Sequence, residues 1–186
     1  MPRRKKIPVM YEYSPALYNL VKDVVEYKYG VSVDIIPLWV SDMSTKSKIY
    51  LGKIRKASKL MQFIASKGFP VTPDFIMFLN MKFHIGSDRT GHYFVHEQWL
   101  LRTIWHELSH IGFNEDGKVI MVPHDIEDFI SVFKVFGIPE NIAKLERDEH
   151  VYNRLLEILN NHIGKINDEV DAIMRCWVEA GVYAAQ

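Results

Sequence analysis

The sequence predicts an α+β fold, in which a small antiparallel or mixed sheet packs on two helices. Three observations support this prediction: an apolar stripe at helical spacing near the N-terminus, β-rich runs between residues 31 and 85, and helical patterns after residue 97. The chain has 186 residues, of which 48% are hydrophobic. That is enough to bury one core, so we expect one globular domain.

The N-terminal helix is marked at both ends. Ser14 and Pro15 suit an N-cap and a first helical position, and Gly30 suits a helix C-terminus. The predicted buried stripe comprises Leu17, Leu20, Val21, Val24 and Val25. Residues 1–13 begin with a basic cluster and are expected to form a flexible tail.

The runs that follow predict strands. Residues 31–40 are β-rich, and Pro37 indicates a bend or a sheet edge. Residues 49–57 predict a second strand, and residues 75–85, after two prolines, predict a third. In the second strand, Tyr50, Gly52 and Ile54 are expected on one face, and Lys53 and Arg55 on the other.

Residues 106–110 read HELSH, which carries the strongest chemical signal in the chain. On a helix, His106 and His110 project from one face a turn apart, so both imidazoles can bind one metal ion. Glu107 lies about 100° round the helix, where its carboxylate can act as a general base towards a zinc-activated water. No Gly or Pro interrupts residues 98–105. The expected buried stripe is Trp99, Leu100, Ile104, Leu108 and Ile111.

A catalytic zinc usually needs a third protein ligand. The metzincin continuation is excluded, because Phe113 and Asp116 stand where its glycine and histidine would be. Residues 114–117 predict a turn, and a second helix is expected to start at Pro123. His124 is the predicted third ligand, with the carboxylate of Glu127 or Asp128 in this helix as the alternative. The acidic residues of its first turn, which could instead orient a ligating imidazole or favour the helix dipole, are Asp125, Glu127 and Asp128.

Three segments together resemble the phage metallopeptidase family of small single-domain zincins. They are YLGKIRKASKLMQFI at 50–64, RTIWHELSHI at 102–111, and HDIEDFISVFKVFGI at 124–138. The resemblance implies a zincin-like catalytic domain at 14–138, with His106, His110 and His124 as zinc ligands and Glu107 as the general base. Residues 139–186 are then a helical C-terminal extension packed on the same domain.

A second likeness is to SprT-like proteases, which cleave proteins attached to DNA. The spacing of His124 and Phe129 fits their pattern. The cysteine-bearing zinc ribbon that many of them carry is absent, because Cys176 is the only cysteine of the chain. This likeness implies a relation of fold and mechanism only.

The charge distribution has one uneven segment. The net charge is zero, which gives no bulk attraction to nucleic acid or to a membrane. No acidic residue lies between Asp42 and Asp74, whereas the cations there are Lys46, Lys48, Lys53, Arg55, Lys56, Lys59 and Lys67. A solvated face balanced by the acidic stretch 107–149 is the favoured interpretation, and contact with nucleic acid is the less favoured one.

Composition favours a reducing compartment. No apolar run is long enough for a membrane span, the basic N-terminus lacks the apolar region of a signal peptide, and one cysteine cannot form an intramolecular disulfide. A cytoplasmic location is therefore expected.

These observations predict a zinc-dependent metallopeptidase that acts on a peptide or protein substrate. The alternatives are a catalytically silent zinc-containing module of a phage or mobile element, and an SprT-like protease acting on DNA-associated proteins. Peptide hydrolysis also needs a donor to the oxyanion of the scissile carbonyl. The candidates, which the sequence does not rank, are Tyr93, His96, His150 and Tyr152.

Overall fold

A computed structural model describes residues 9–45, 48–123, 135–136 and 148–183. In the first half of these residues the elements are β1 (Tyr11–Tyr13), α1 (Pro15–Tyr29), β2 (Ile35–Val40), β3 (Gly52–Lys56), α2 (Lys59–Ala65), β4 (Phe75–Asn80) and α3 (Met81–His84). In the second half they are β5 (Ile85–Ser87), β6 (Tyr93–Val95), α4 (Glu97–Ser109), β7 (Ile111–Phe113), β8 (Val119–Met121), α5 (Glu149–Asn160) and α6 (Ile163–Glu179). The fold is mixed α+β, as predicted.

The ends of α1 are those that the sequence predicts. The Ser14 side chain accepts a hydrogen bond from the Leu17 N–H at 3.0 Å, and Gly30 ends the helix with φ 66°. Ser14 also donates to the carboxylate of Glu169 in α6, which in turn accepts from the Ala16 N–H at 3.2 Å. A carboxylate at a helix N-terminus is favourable, so this contact joins the first helix to the last.

The main sheet has the strand order β1-β2-β4-β3, in which β2 and β4 are parallel and the other pairs are antiparallel. Its first strand corrects one expectation, because Tyr11–Tyr13 lies within the segment expected to be a flexible tail. These residues pair with residues 40–38 of the buried strand β2. A three-residue strand is too short for alternation to be read from sequence, and its pairing with a buried partner determines it.

Pro37 does not mark an edge strand. It lies within β2, which is flanked by β1 and β4, and it pairs with Met77 of β4. The expectation of a sheet edge was therefore wrong for β2 as a whole. Pro37 is nevertheless tolerated because the stretch paired with β1 ends at Leu38, one residue away.

The third predicted strand is shorter than expected. It ends at Asn80, whose side chain accepts from the Lys82 N–H at 3.3 Å and donates to the Tyr50 carbonyl at 2.8 Å. A side chain that caps the next turn competes with continued strand pairing, so α3 begins directly after β4.

The two faces of the main sheet have different environments. One face carries Trp39, Met77, Leu79 and Ile54 into the core with α1 and α4. The other face carries Lys53 of β3 beside Phe78 of β4. Strand β3 therefore contributes side chains to the apolar core on one face and to a basic surface on the other.

Helix α4 buries Leu100, Leu101, Ile104, Trp105 and Leu108. Trp99 was expected in this stripe but is 52% exposed. The stripe is centred on the Leu100–Ile104–Leu108 row, and Trp99 lies about 100° away from Leu100 round the helix, on the solvent side.

Helices α5 and α6 fall within the predicted C-terminal extension. The side chain of Asn167 accepts from the Val95 N–H, and that of Asp171 accepts from the Tyr93 N–H, both at 2.9 Å. Leu155, Leu159, Ile166 and Val170 are fully buried in the same core as α1 and α4. No helix within the described part of the chain is long and apolar enough to cross a membrane.

Candidate active site

The HELSH segment forms the C-terminal end of α4, with His110 as its helical C-cap residue, where the helix packs on β3. Glu107 is only 5% exposed. A Cβ atom added to Gly52 would come within 2.6 Å of Thr103 Cγ2 and 2.9 Å of Glu107 Oε1. The missing side chain of Gly52 thus lets β3 approach α4 closely enough to enclose the Glu107 carboxylate.

The imidazoles of His106 and His110 lie together, and both residues are partly exposed. Their ring centres are 5.4 Å apart, and the ring planes make an angle of 80°. Two imidazoles bound to one tetrahedral zinc, with Zn–N of about 2.1 Å, would have ring centres about 5 Å apart. The observed spacing therefore fits two ligands of a single zinc ion.

The orientation of His110 is fixed by the hairpin of β7 and β8. His110 Nδ1 lies 2.9 Å from the Val122 carbonyl oxygen, and the Val122 N–H donates to the His110 carbonyl at 2.7 Å. A carbonyl oxygen only accepts, so Nδ1 is the donor, and in the neutral ring Nε2 then carries the lone pair that a metal would bind. Backbone carbonyls commonly hold zinc-ligating histidines in this tautomer, which is a second point of fit to the metal.

The last turn of α4 is held by the end of α1. The Tyr29 hydroxyl donates to the Leu108 carbonyl and lies 3.2 Å from the Ile111 carbonyl. The Lys28 ammonium donates to Ser109 Oγ at 3.1 Å and lies 3.6 Å from the centre of the Trp105 ring. Burial lowers the pKa of Lys28 to about 8, whereas the ring contact favours the charged form. The Tyr29 hydroxyl thus satisfies the Leu108 carbonyl, one of the groups that a helix C-terminus leaves unpaired.

A buried polar chain supports the middle of α4. His84 is fully buried, with Nδ1 at 2.8 Å from the Asn80 carbonyl and Nε2 at 2.9 Å from Thr103 Oγ1. Burial lowers the pKa of His84, which favours the neutral ring that donates to Asn80 and accepts from Thr103. His84 therefore has a structural role, and it fixes Thr103, which lies one turn before Glu107.

The predicted third ligand, His124, lies outside the described residues, as do Asp125, Glu127 and Asp128. Within the described ranges, no group of three His, Cys, Asp or Glu residues is arranged to hold a metal ion. The structure thus brings together His106, His110 and Glu107, and the third ligand stays a prediction.

The four candidates for the oxyanion donor occupy different places. His96 is the N-cap of α4, and ten residues of helix, about 15 Å, separate it from His106. Tyr152 is buried and makes an edge contact with Phe136, whereas His150 is exposed. Tyr93 lies in β6 and packs against the core. The helix spacing argues against His96 as a donor at the histidine pair.

Several residues that shape this site carry no clear sequence signal. The sequence predicts Gly52 only as a strand residue, and the contribution of Val122 is a backbone carbonyl that no side-chain pattern reveals. Thr103 is the exception, because a polar residue inside an apolar helical stripe indicates a buried hydrogen bond.

Comparison with known proteins identifies the family. No curated protein and no solved structure matches this chain. The model of the family described as "Putative phage metallopeptidase" matches residues 9–160, which include β1, the main sheet, α4 and α5. The description implies a hydrolase that uses a metal and acts on peptides or proteins. Because the match covers most of the chain, this protein belongs to the phage metallopeptidase family.

Proposed function

We propose that this protein is a zinc-dependent metallopeptidase whose zinc is held by His106, His110 and His124. The observation that carries the proposal is the pairing of the two α4 imidazoles, 5.4 Å apart, beside a buried glutamate. Family membership supports a metal-dependent peptidase. A carboxylate from Glu127 or Asp128 is the alternative third ligand, and Asp125 is a candidate to orient His124.

A zinc ion bound there would acidify a water molecule and polarise the scissile carbonyl. Glu107 is the residue that moves the proton in this scheme. Its carboxylate is buried between Gly52 and the row of α4 that includes Thr103, so it has little freedom to turn to solvent. It accepts a proton from the attacking water and delivers that proton to the leaving amine.

The edge strand β3 supplies a place for an extended substrate. β3 pairs with β4 on one side, and no strand among the described residues pairs with its other edge, so a peptide backbone can pair there. The same strand carries Gly52 against Glu107. A peptide added to this edge would therefore lie next to the catalytic carboxylate, with its register set by main-chain hydrogen bonds.

The proposal is tested by incubating the zinc-loaded protein with an undirected peptide library and identifying new termini by mass spectrometry. We expect cleavage that a chelator abolishes and that added zinc restores, because the zinc ion and Glu107 act on the same water molecule. Bound zinc without cleavage of any library member would contradict the peptidase proposal and select the silent zinc-containing module.

A further inference from the structure

The outer face of the main sheet holds a cavity that the proposed peptidase site does not use. Its volume is about 410 Å³, and it opens between the start of β1, the segment after β2, and β3. The aromatic and basic residues that line it are Tyr11, Tyr50, Phe78, Lys53 and Arg55. Lys53 alternates along β3 with Gly52 and Ile54, which face α4 and the core. The cavity and the HELSH helix therefore lie on opposite faces of the same strand.

The aromatic rings form a surface beside the two cations. Tyr11 and Phe78 meet edge to face with ring centres 6.1 Å apart, and Lys53 Nζ lies 5.5 Å from the centre of the Tyr50 ring. Lys53 is the direct cross-strand neighbour of Phe78. Tyr11 is 56% exposed, so its ring is available to a ligand. Three elements distant in sequence thus bring rings and cations into one cavity.

The positive charge of this cavity is not neutralised from within the described residues. No salt bridge there joins Lys53 or Arg55 to a carboxylate, while the acidic lining residue Asp42 pairs with Lys82 at 3.0 Å. The sequence between Asp42 and Asp74 contains no acidic residue. An anionic ligand would complement this surface.

We propose that the cavity binds single-stranded nucleic acid, with phosphates at Lys53 and Arg55 and unpaired bases against Tyr11 and its neighbouring rings. Unpaired bases expose the ring faces that aromatic side chains stack on, and a basic groove follows the backbone. An acidic peptide would satisfy the cations but would leave the exposed rings without a stacking partner. The segment between Asp42 and Asp74 supplies the cations of the cavity, and the fold places the rings of Tyr11 in β1 and Phe78 in β4 beside them. This proposal does not depend on the peptidase activity.

The test for the cations uses the full chain and a fluorescent oligothymidine of about twelve nucleotides, with affinity measured by anisotropy across a salt series. The double variant Lys53→Gln/Arg55→Gln is compared with Lys118→Gln/Lys165→Gln, which removes two exposed cations elsewhere. We expect at least tenfold weaker binding for the first pair only. Its plot of log affinity against log salt should lose about 1.4 units of slope, about 0.7 for each lost phosphate contact.

The test for the rings is Tyr11→Leu, which keeps an apolar side chain and removes the stacking surface. We expect at least a fivefold loss of oligothymidine affinity, and no loss for Trp99→Leu, which changes an exposed ring on α4. Absence of oligothymidine binding at low salt would overturn the proposal, as would equal affinities for the two double variants. Binding of an oligoglutamate peptide in its place, lost in Lys53→Gln/Arg55→Gln, would assign the cavity to an acidic polypeptide and overturn it too.

Discussion

Glu107→Gln is expected to lower peptide turnover by about 10² to 10⁴-fold, the usual contribution of a general base. The amide has nearly the same shape as the carboxylate, so the packing of Glu107 against Gly52 should persist. An amide cannot accept the proton of the attacking water. The measurement is the rate of cleavage of the best library peptide, with zinc content determined on the same sample.

The matched control is Glu97→Gln, which removes a carboxylate from the exposed first turn of the same helix. This variant should keep its turnover, and both variants should keep the zinc content of the unmodified protein. A Glu107→Gln protein with undiminished turnover would remove Glu107 from the proposed mechanism.

Gly52→Ala is expected to have the second large effect. The added Cβ would lie 2.6 Å from Thr103 Cγ2 and 2.9 Å from Glu107 Oε1. Neither neighbour can move cheaply, because Thr103 is hydrogen-bonded to the buried His84 and Glu107 is itself buried. Strand β3 must shift away from α4, at a cost of about 1–3 kcal/mol in unfolding free energy, and turnover should fall at least tenfold as the base loses its position.

Gly164→Ala is the control for Gly52→Ala. A Cβ at Gly164 in α6 meets no atom within 4 Å, and Ala there should leave turnover unchanged and stabilise the helix slightly. Chemical denaturation and peptide cleavage measured on both variants separate the two effects. Equal unfolding free energies and equal turnover for Gly52→Ala and the unmodified protein would contradict the close approach of β3 to Glu107.

The features that local chemistry determines are predictable from the sequence. Ser14, Pro15 and Gly30 mark the ends of α1 because capping and left-handed backbone are properties of single residues. The position of His106 and His110 on one helical face follows from helix geometry alone. The turn before β8 was predicted for the same reason, and Gly117 adopts φ 72° there.

The features that tertiary contacts determine are not predictable from the sequence. Strand β1 exists because Tyr11–Tyr13 can pair with β2, and Trp99 is exposed because its neighbours fix which face of α4 is buried. Helix α2 was not predicted, because it is short and leaves Leu60, Phe63 and Ile64 exposed. At the candidate site, the roles of Gly52 and Val122 arise from contacts between elements that are distant in sequence.

One zinc ion is expected to be held by His106 and His110, and metal analysis after zinc reconstitution and dialysis measures that binding. The unmodified protein should retain one zinc per chain, and His106→Ala and His110→Ala should each lose it. The control His92→Ala, in the exposed turn between β5 and β6, should retain it. Stoichiometric zinc in both α4 variants, or none in the unmodified protein, would contradict the account.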